Sequence, residues 1–321
     1  AFIGDKDAAI EKDSEAAEIW QGLFKKKGID AKVVEIGSEE EGYKKGMQDG
    51  RIFYYDSSKN WWSRAGVPAN MPAGEPGGPD SEVFYEFDYI EHDKSFGKHC
   101  HPNCDCGRYM EIGNSVFMQY QKQSDGSFKE LAQKNIDFGG GLERIVAASI
   151  DSSDMFKIDV LWSIIEKLQK MTGKKYEDHI EAKRVIADHL RSAVFMAVDG
   201  VVPSNTTQGY VMRRMLRRAI RRGYELGVEQ GLSSEIAKVV IENYKEVYPE
   251  LVENKEKIIE VLERDQRTRV RIDRVRHRLS FHSGRVKTAF AALGLFGPQG
   301  FTQSVADGYF SHLNVELSSA A

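Results

Sequence analysis

Up to about Ile150 the apolar positions fall in short runs of strand length, AKVVEI, RIFYY, EVFYEFDYI and NSVFMQY, separated by loops rich in Gly and Pro. This pattern predicts an α+β region built on an antiparallel sheet. The longest loop, SRAGVPANMPAGEPGGPDSE, exceeds what a plain connection needs, and its flanking Trp61, Trp62 and Phe84 point to function. From about Asp154 the apolar spacing changes to the 3.6-residue period. VLWSIIEKLQKM, AKRVIADHLRSAVFMAV, YVMRRMLRRAIRRGYEL, EIAKVVIENYKEVY and KEKIIEVLERD are all predicted as amphipathic helices. After about Gln266 the periodicity fades, Arg is abundant as far as Arg285 and acidic residues nearly vanish. The expected organisation is therefore an α+β domain over 1–155, a helical domain over 156–265 and an unassigned Arg-rich tail over 266–321.

A chain of 321 residues, 41% of them hydrophobic, is long enough for two domains with cores of their own. The net charge of −4 means that any nucleic-acid binding must come from local clusters of cations. No apolar run approaches the roughly 20 residues that cross a bilayer, and no signal segment opens the chain, so a cytoplasmic location is the default. The chain opens at Ala1 without an initiator Met, and further sequence upstream is expected. Oligomeric state is not legible.

All three cysteines lie in HCHPNCDC, and their odd number and tight spacing argue against a disulfide framework. Cys100, Cys104, Cys106 and His101 form a candidate zinc set, although the spacing is cramped and lacks paired CxxC knuckles. The alternative is a reduced cysteine loop beside the sheet.

Two further segments carry chemistry. NIDFGGGLERIVAA puts Gly139 to Gly141 between a strand and a helix starting near Leu142, where glycines allow close approach and the helix start favours an anion. Arg144 adds a cation one turn in. YVMRRMLRRAIRRG sets Arg213, Arg214, Arg217, Arg218, Arg221 and Arg222 on one half of a helix without an intervening acid. Met212, Met215, Leu216, Ala219 and Ile220 occupy the other half. A basic face backed by an apolar one suits a phosphate backbone.

DFGGGLERI resembles the third signature of the class II aminoacyl-tRNA synthetases, in the form found in the alanyl-tRNA synthetase family. NWW (Asn60–Trp62), GEPGGPDSE (Gly74–Glu82), EIGNSVFMQY (Glu111–Tyr120) and the long segment Arg184–Gly223 agree with that family in order and spacing. The resemblance covers roughly residues 1 to 260. It implies ATP-dependent activation of L-alanine and transfer to tRNA(Ala), with Mg²⁺ offsetting the phosphate charge. The fold it implies is a class II antiparallel-sheet catalytic domain, present in part, followed by a helical tRNA-recognition domain.

Residue by residue, Asp137 resembles the carboxylate that binds the alanine ammonium, and Trp62, Asn114 and Val116 resemble the walls and polar contact of the amino-acid pocket. Gly139 and Gly141 resemble the platform under ATP, Arg144 the arginine that contacts it, and Glu82 the acid closing the family's GPCGPCSE loop. Gly77 and Asp80 stand where that loop has cysteines, and Trp61 replaces a more usual Phe. Asn205 resembles the residue that reads the acceptor stem in its minor groove. Asp188 and His189 are expected to be structural polar groups near the tRNA face.

The first two class II signatures, including an Arg that holds the ATP α-phosphate, are expected upstream of Ala1, so these residues alone should activate alanine weakly or not at all. The family's YGFP segment and editing domain are not recognisable downstream, and a break in reading frame near Gln266 is a hypothesis that resequencing would test. Two other readings compete: a non-catalytic RNA-binding protein derived from a synthetase, and an enzyme that activates an amino acid for a carrier protein.

Overall fold

The computed structural model describes residues 1–264, and the Arg-rich tail lies outside the described residues. The chain divides into two compact units between Trp162 and Ser163.

The first unit opens with a helix that the strand-and-loop pattern does not announce, α1 (Ser14–Lys26). Asp13 caps it by accepting from the Ala16 N–H at 3.0 Å. Glu15 lies in its first turn and Lys25 and Lys26 in its last, so the charges complement the helix dipole. Ala17, Trp20 and Phe24 of α1 pack with Ile52 and Tyr54. These belong to a two-stranded sheet in which β1 (Val33–Gly37) and β2 (Ile52–Tyr55) run parallel, Val33 opposite Ile52. AKVVEI and RIFYY are thus strands as expected but stand apart from the antiparallel sheet. Their connection contains a second unanticipated helix, α2 (Glu39–Lys45), and such a crossover is what parallel strands require.

The antiparallel expectation holds for the other sheet. Its strands β3 (Trp61–Ser63), β4 (Pro76–Glu86), β5 (Tyr109–Lys122) and β6 (Phe128–Gly140) lie side by side in chain order. β4 begins inside the Gly- and Pro-rich stretch that looks like loop. Gly and Pro are poor strand residues, but here they sit at an irregularity in the pairing with β5. Gly78 lies so close to β5 that an added Cβ would strike the Phe117 carbonyl oxygen.

One face of this sheet is fixed inward by aromatic packing. Trp61 lies 5.7 Å from Phe2, 5.7 Å from Phe128 and 6.2 Å from Tyr120, ring centre to ring centre. Because side chains alternate along a strand, Trp62 takes the other face, where it is 45% exposed. Helix α3 (Leu142–Ser149) follows β6 directly, and its Ala147 packs with Ile158 and Leu161.

The second unit is helical. Helix α4 (Asp159–Thr172) spans the division and is followed by α5 (Ile180–Val198), α6 (Thr207–Glu225), α7 (Leu232–Tyr244) and the short α8 (Glu250–Glu253). Residues 255–264 are helical too. The 3.6-residue period is realised in α5, which buries Ile186, Leu190, Val194 and Ala197 along one face and packs against α6 and α7. Among the described residues no helix is long and apolar enough to cross a membrane.

Candidate functional site

The strand register assembles the residues singled out from the sequence. Asp80 pairs with Val116 and Val116 with Asp137; one step further, Glu82 pairs with Asn114 and Asn114 with Gly139. Residues opposite one another share a face, and positions two apart on a strand do as well. Glu82, Asn114, Val116, Asp137 and Gly139 therefore lie on one face. Trp62, opposite Gly78, joins them.

Asp80, in the sequence only a departure from a familiar loop, is the polar centre of this face. It is 4% exposed. Asn114 donates from Nδ2 to Asp80 Oδ2 at 3.2 Å, and Asn60 donates to Asp80 Oδ1 at 3.3 Å. A carboxylate only accepts, so it turns the amide nitrogen of Asn114 toward itself and leaves Asn114 Oδ1 pointing elsewhere. That oxygen is buried with no hydrogen-bond partner, and an orphaned buried acceptor is costly unless a donor meets it. The signal in the sequence was an acid two residues before Glu82, informative only once GPDSE is recognised as strand.

Burial raises the pKa of Asp80, and burial together with Asp80 and Glu111 pushes Glu82 up to about 7. Between about pH 4.5, the ordinary value, and about 7 the folded chain keeps the Glu82 proton that the unfolded chain gives up, so stability falls as pH rises through this window. Glu82→Gln should therefore raise the stability above about pH 7, by at most ~3 kcal/mol and with it the thermal midpoint, and leave both unchanged below about pH 4.5. Thermal unfolding of both proteins across this range checks it; a gain that persists at the acid end contradicts the assignment.

The glycine turn is where the sequence puts it. β6 ends at Gly140, and α3 starts at Leu142 with Gly141 as a cap residue that offers no side-chain bond to the first-turn N–H groups. An added Cβ at Gly139 would meet nothing within 4 Å, so packing does not demand this glycine. At Gly141 the same Cβ would crowd the Arg144 side chain at 3.1 Å. Arg144 donates to the Glu111 backbone oxygen at 3.1 Å and to its carboxylate at 3.2 Å, which holds the guanidinium over the start of β5.

In the helical unit, Asn205, Arg213, Arg214, Arg217, Arg218 and Arg221 line one groove of about 300 Å³. Tyr210, half exposed and unnoticed in the sequence, lines it as well. Met212, Leu216, Ala219 and Ile220 are buried beneath, as the amphipathic pattern requires, while Met215 is only partly buried. Gly209 brings Asn205 to the groove, because an added Cβ there would run into Ser204 and come within 2.5 Å of the Val202 oxygen. The VVPSN loop can then fold onto the start of α6, and Arg213 in its second turn donates to Asn205 Oδ1.

Arg222 departs from the expected set. It does not line the groove; it pairs with Glu225 at 2.7 Å and with Glu181, so this edge of the helix does carry acids. His189 bonds its neighbour Asp188 at 2.9 Å, which holds the Asp188 carboxyl below its ordinary range.

The cysteine loop also differs from expectation in one member. Cys100, Cys104 and Cys106 converge with His92, all four ligand atoms lying within 4.8 Å of one another. His101 is not among them. It is fully buried, its Nδ1 lies 2.8 Å from the Tyr55 hydroxyl and its ring stands edge-on to Tyr43.

An antiparallel sheet with a Gly-rich strand-to-helix turn beside a polar face is the architecture of a class II tRNA synthetase, and the chain belongs to that family: the model of tRNA synthetases class II (A) matches residues 10–271. Among its curated relatives are alanine–tRNA ligases. The chain is 36% identical over 256 residues to that of Acetivibrio thermocellus, covering 78% of this chain and 26% of the relative. Against that of Treponema denticola it is 36% identical over 266 residues, covering 80% and 38%. Against that of Caldicellulosiruptor saccharolyticus it is 38% identical over 256 residues, covering 78% and 25%. The chain thus spans only a quarter to two-fifths of the length of these relatives.

Proposed function

We propose that the chain carries the alanine-binding part of an alanine–tRNA ligase together with the helical surface that grips tRNA(Ala). In this reading the alanine carboxylate attacks the α-phosphorus of ATP and pyrophosphate leaves; a ribose hydroxyl at the 3′ end of the tRNA then attacks the carbonyl of the alanyl-adenylate, loses its proton and expels AMP. Both nucleophiles belong to substrates, so the protein's work is positioning and electrostatics. The observation that carries the reading is the sheet face: a carboxylate at Asp137 and the unmatched acceptor of Asn114 lie one step apart across β5 and β6. A primary ammonium supplies donors to both. Val116 and Trp62 on the same face leave room for a small side chain.

The α3 N-terminus and Arg144 suit the phosphates of ATP. Mg²⁺, which offsets phosphate charge, takes hard oxygen ligands, and Glu82 and Glu111 are mutually repelling carboxylates whose chemistry fits such an ion. The α6 groove suits an RNA backbone, and Asn205 at its rim suits the edge of a base pair in the shallow minor groove.

The test is alanine-dependent exchange of pyrophosphate into ATP by the protein expressed from its complete reading frame, with and without tRNA. Exchange plus charging of tRNA(Ala) supports the proposal. Exchange without tRNA charging favours a carrier-protein enzyme, and tRNA binding without exchange favours a non-catalytic RNA-binding protein. Glycine and serine should exchange weakly, because a pocket that discriminates by size rejects such neighbours poorly. Gly139→Val should leave stability within ~0.5 kcal/mol, since the added atoms enter open space, yet abolish binding of a non-hydrolysable alanyl-adenylate analogue. Thermal unfolding checks the first and calorimetric titration the second; undiminished binding would show that the ligand does not pass over Gly139.

A further inference from the structure

We infer that His92, Cys100, Cys104 and Cys106 form a closed tetrahedral zinc site that fastens the connection between β4 and β5. This site lies outside the proposed reaction and stands whether or not the alanine pocket does.

The geometry carries the assignment. With Zn–S bonds of about 2.3 Å and Zn–N bonds of about 2.0–2.1 Å, the edges of a regular tetrahedron are about 3.8 Å between sulfurs and about 3.6 Å between sulfur and nitrogen. Cys100 Sγ lies 3.5 Å from Cys106 Sγ, and Cys104 Sγ lies 3.7 Å from His92 Nδ1. Two opposite edges of the four-atom cluster thus have the lengths of a zinc tetrahedron, and the remaining ones are no longer than 4.8 Å.

The surroundings match a ligand set. The other ring nitrogen of His92 donates to the Gly97 carbonyl oxygen at 3.0 Å, so in the neutral ring Nδ1 is the nitrogen with a free lone pair, and it faces the sulfurs. Gly107, at φ 87°, lets the chain turn back between the last ligand and β5. Three soft thiolates and one imidazole select zinc over magnesium or calcium, and with four protein ligands no position is left for water or substrate, so the role is structural.

His92 was beyond the reach of a spacing argument centred on HCHPNCDC, because it precedes the cluster by a full turn of chain. His101 has a different task. Its ring fills the space between Tyr43 and Tyr55 against Gly42, where no added Cβ would fit, and so anchors the metal loop to α2 and β2. At the other end Arg108 holds Glu86 at 2.9 Å and the Ile90 oxygen at 3.0 Å. The metal therefore closes a loop whose two ends are β4 and β5, the strands bearing Asp80, Glu82 and Asn114.

The test is elemental analysis of the full 321-residue chain purified without chelator or metal-affinity resin. One zinc per chain is expected, with His92→Ala and Cys104→Ser falling to about a tenth or less and His99→Ala, a neighbouring exposed imidazole, keeping it. Cobalt exchanged into the wild type should give the intense visible bands of a tetrahedral thiolate site, altered in His92→Ala. If the ligand variants fail to fold, a mercurial titration of the wild-type chain decides: three thiols should react as one zinc is released to a chromogenic chelator. Metal-free protein that yields only an octahedral cobalt spectrum overturns the site, as does a Cys100–Cys106 disulfide in freshly prepared chain. Loss of zinc in His101→Gln with retention in His92→Ala overturns the ligand assignment.

Discussion

Replacing Asp137 by Ala is expected to lower affinity for an alanyl-adenylate analogue about a hundredfold and to leave tRNA binding unchanged. Its side chain is exposed on β6, so truncation removes no core contact and stability should change by no more than ~0.5 kcal/mol. What is lost is a charge-assisted hydrogen bond to the ammonium, of order 1.5–3 kcal/mol, where 1.4 kcal/mol is a factor of ten. Asp137→Asn keeps the shape without the charge and should fall between the two. Alanine-dependent pyrophosphate exchange should follow the same order. Equal binding and exchange in Asp137→Ala and wild type would remove the carboxylate from the pocket.

The combined variant Arg214→Ala/Arg218→Ala/Arg221→Ala should weaken tRNA(Ala) binding by about two orders of magnitude and flatten its dependence on salt. Each arginine that neutralises a phosphate contributes about 0.7–0.9 to the slope of log affinity against log salt, so the slope should drop by about 2–3. Arg222→Ala is the internal control: its guanidinium is engaged by Glu181 and Glu225 and lies outside the groove, so it should change neither affinity nor slope appreciably. Filter binding at several salt concentrations checks both. A triple variant whose slope matches the wild type would show that the groove faces something other than phosphates.

The helical unit was legible because its signal is periodic and local. α5 and α6 repeat an apolar position every turn over nineteen residues each, and that spacing decides which side is buried. α1 and α2 escaped notice because the first is embedded in a charged opening segment and the second is only seven residues long. β4 was hidden by its own composition. Pro76 to Pro79 reads as loop in isolation and is strand only because Trp61 and Trp62 on one side and β5 on the other accommodate it.

The candidate site shows the same division. Asp137, Asn114, Val116 and Trp62 are proposed from their motifs, whereas the place of Asp80 beside them depends on a cross-strand register and a buried amide that no spacing along the chain reveals. For the same reason His92 could not be preferred to His101 before the loop was seen folded, since both are imidazoles near three cysteines and only one presents a nitrogen to them. Arg222 fits the helical face in projection, but Glu225 and Glu181, on α5, engage its guanidinium outside the groove.

The central claim is that one face of the β3–β6 sheet recognises the ammonium of alanine. A crystal structure of the chain with a non-hydrolysable alanyl-adenylate analogue tests it most directly. The account predicts the ammonium within hydrogen-bond distance, about 2.7–3.2 Å, of both the Asp137 carboxylate and Asn114 Oδ1, with the methyl group between Val116 and Trp62. An analogue whose ammonium is held elsewhere, with Asp137 left in solvent and Asn114 Oδ1 still unmatched, would contradict it.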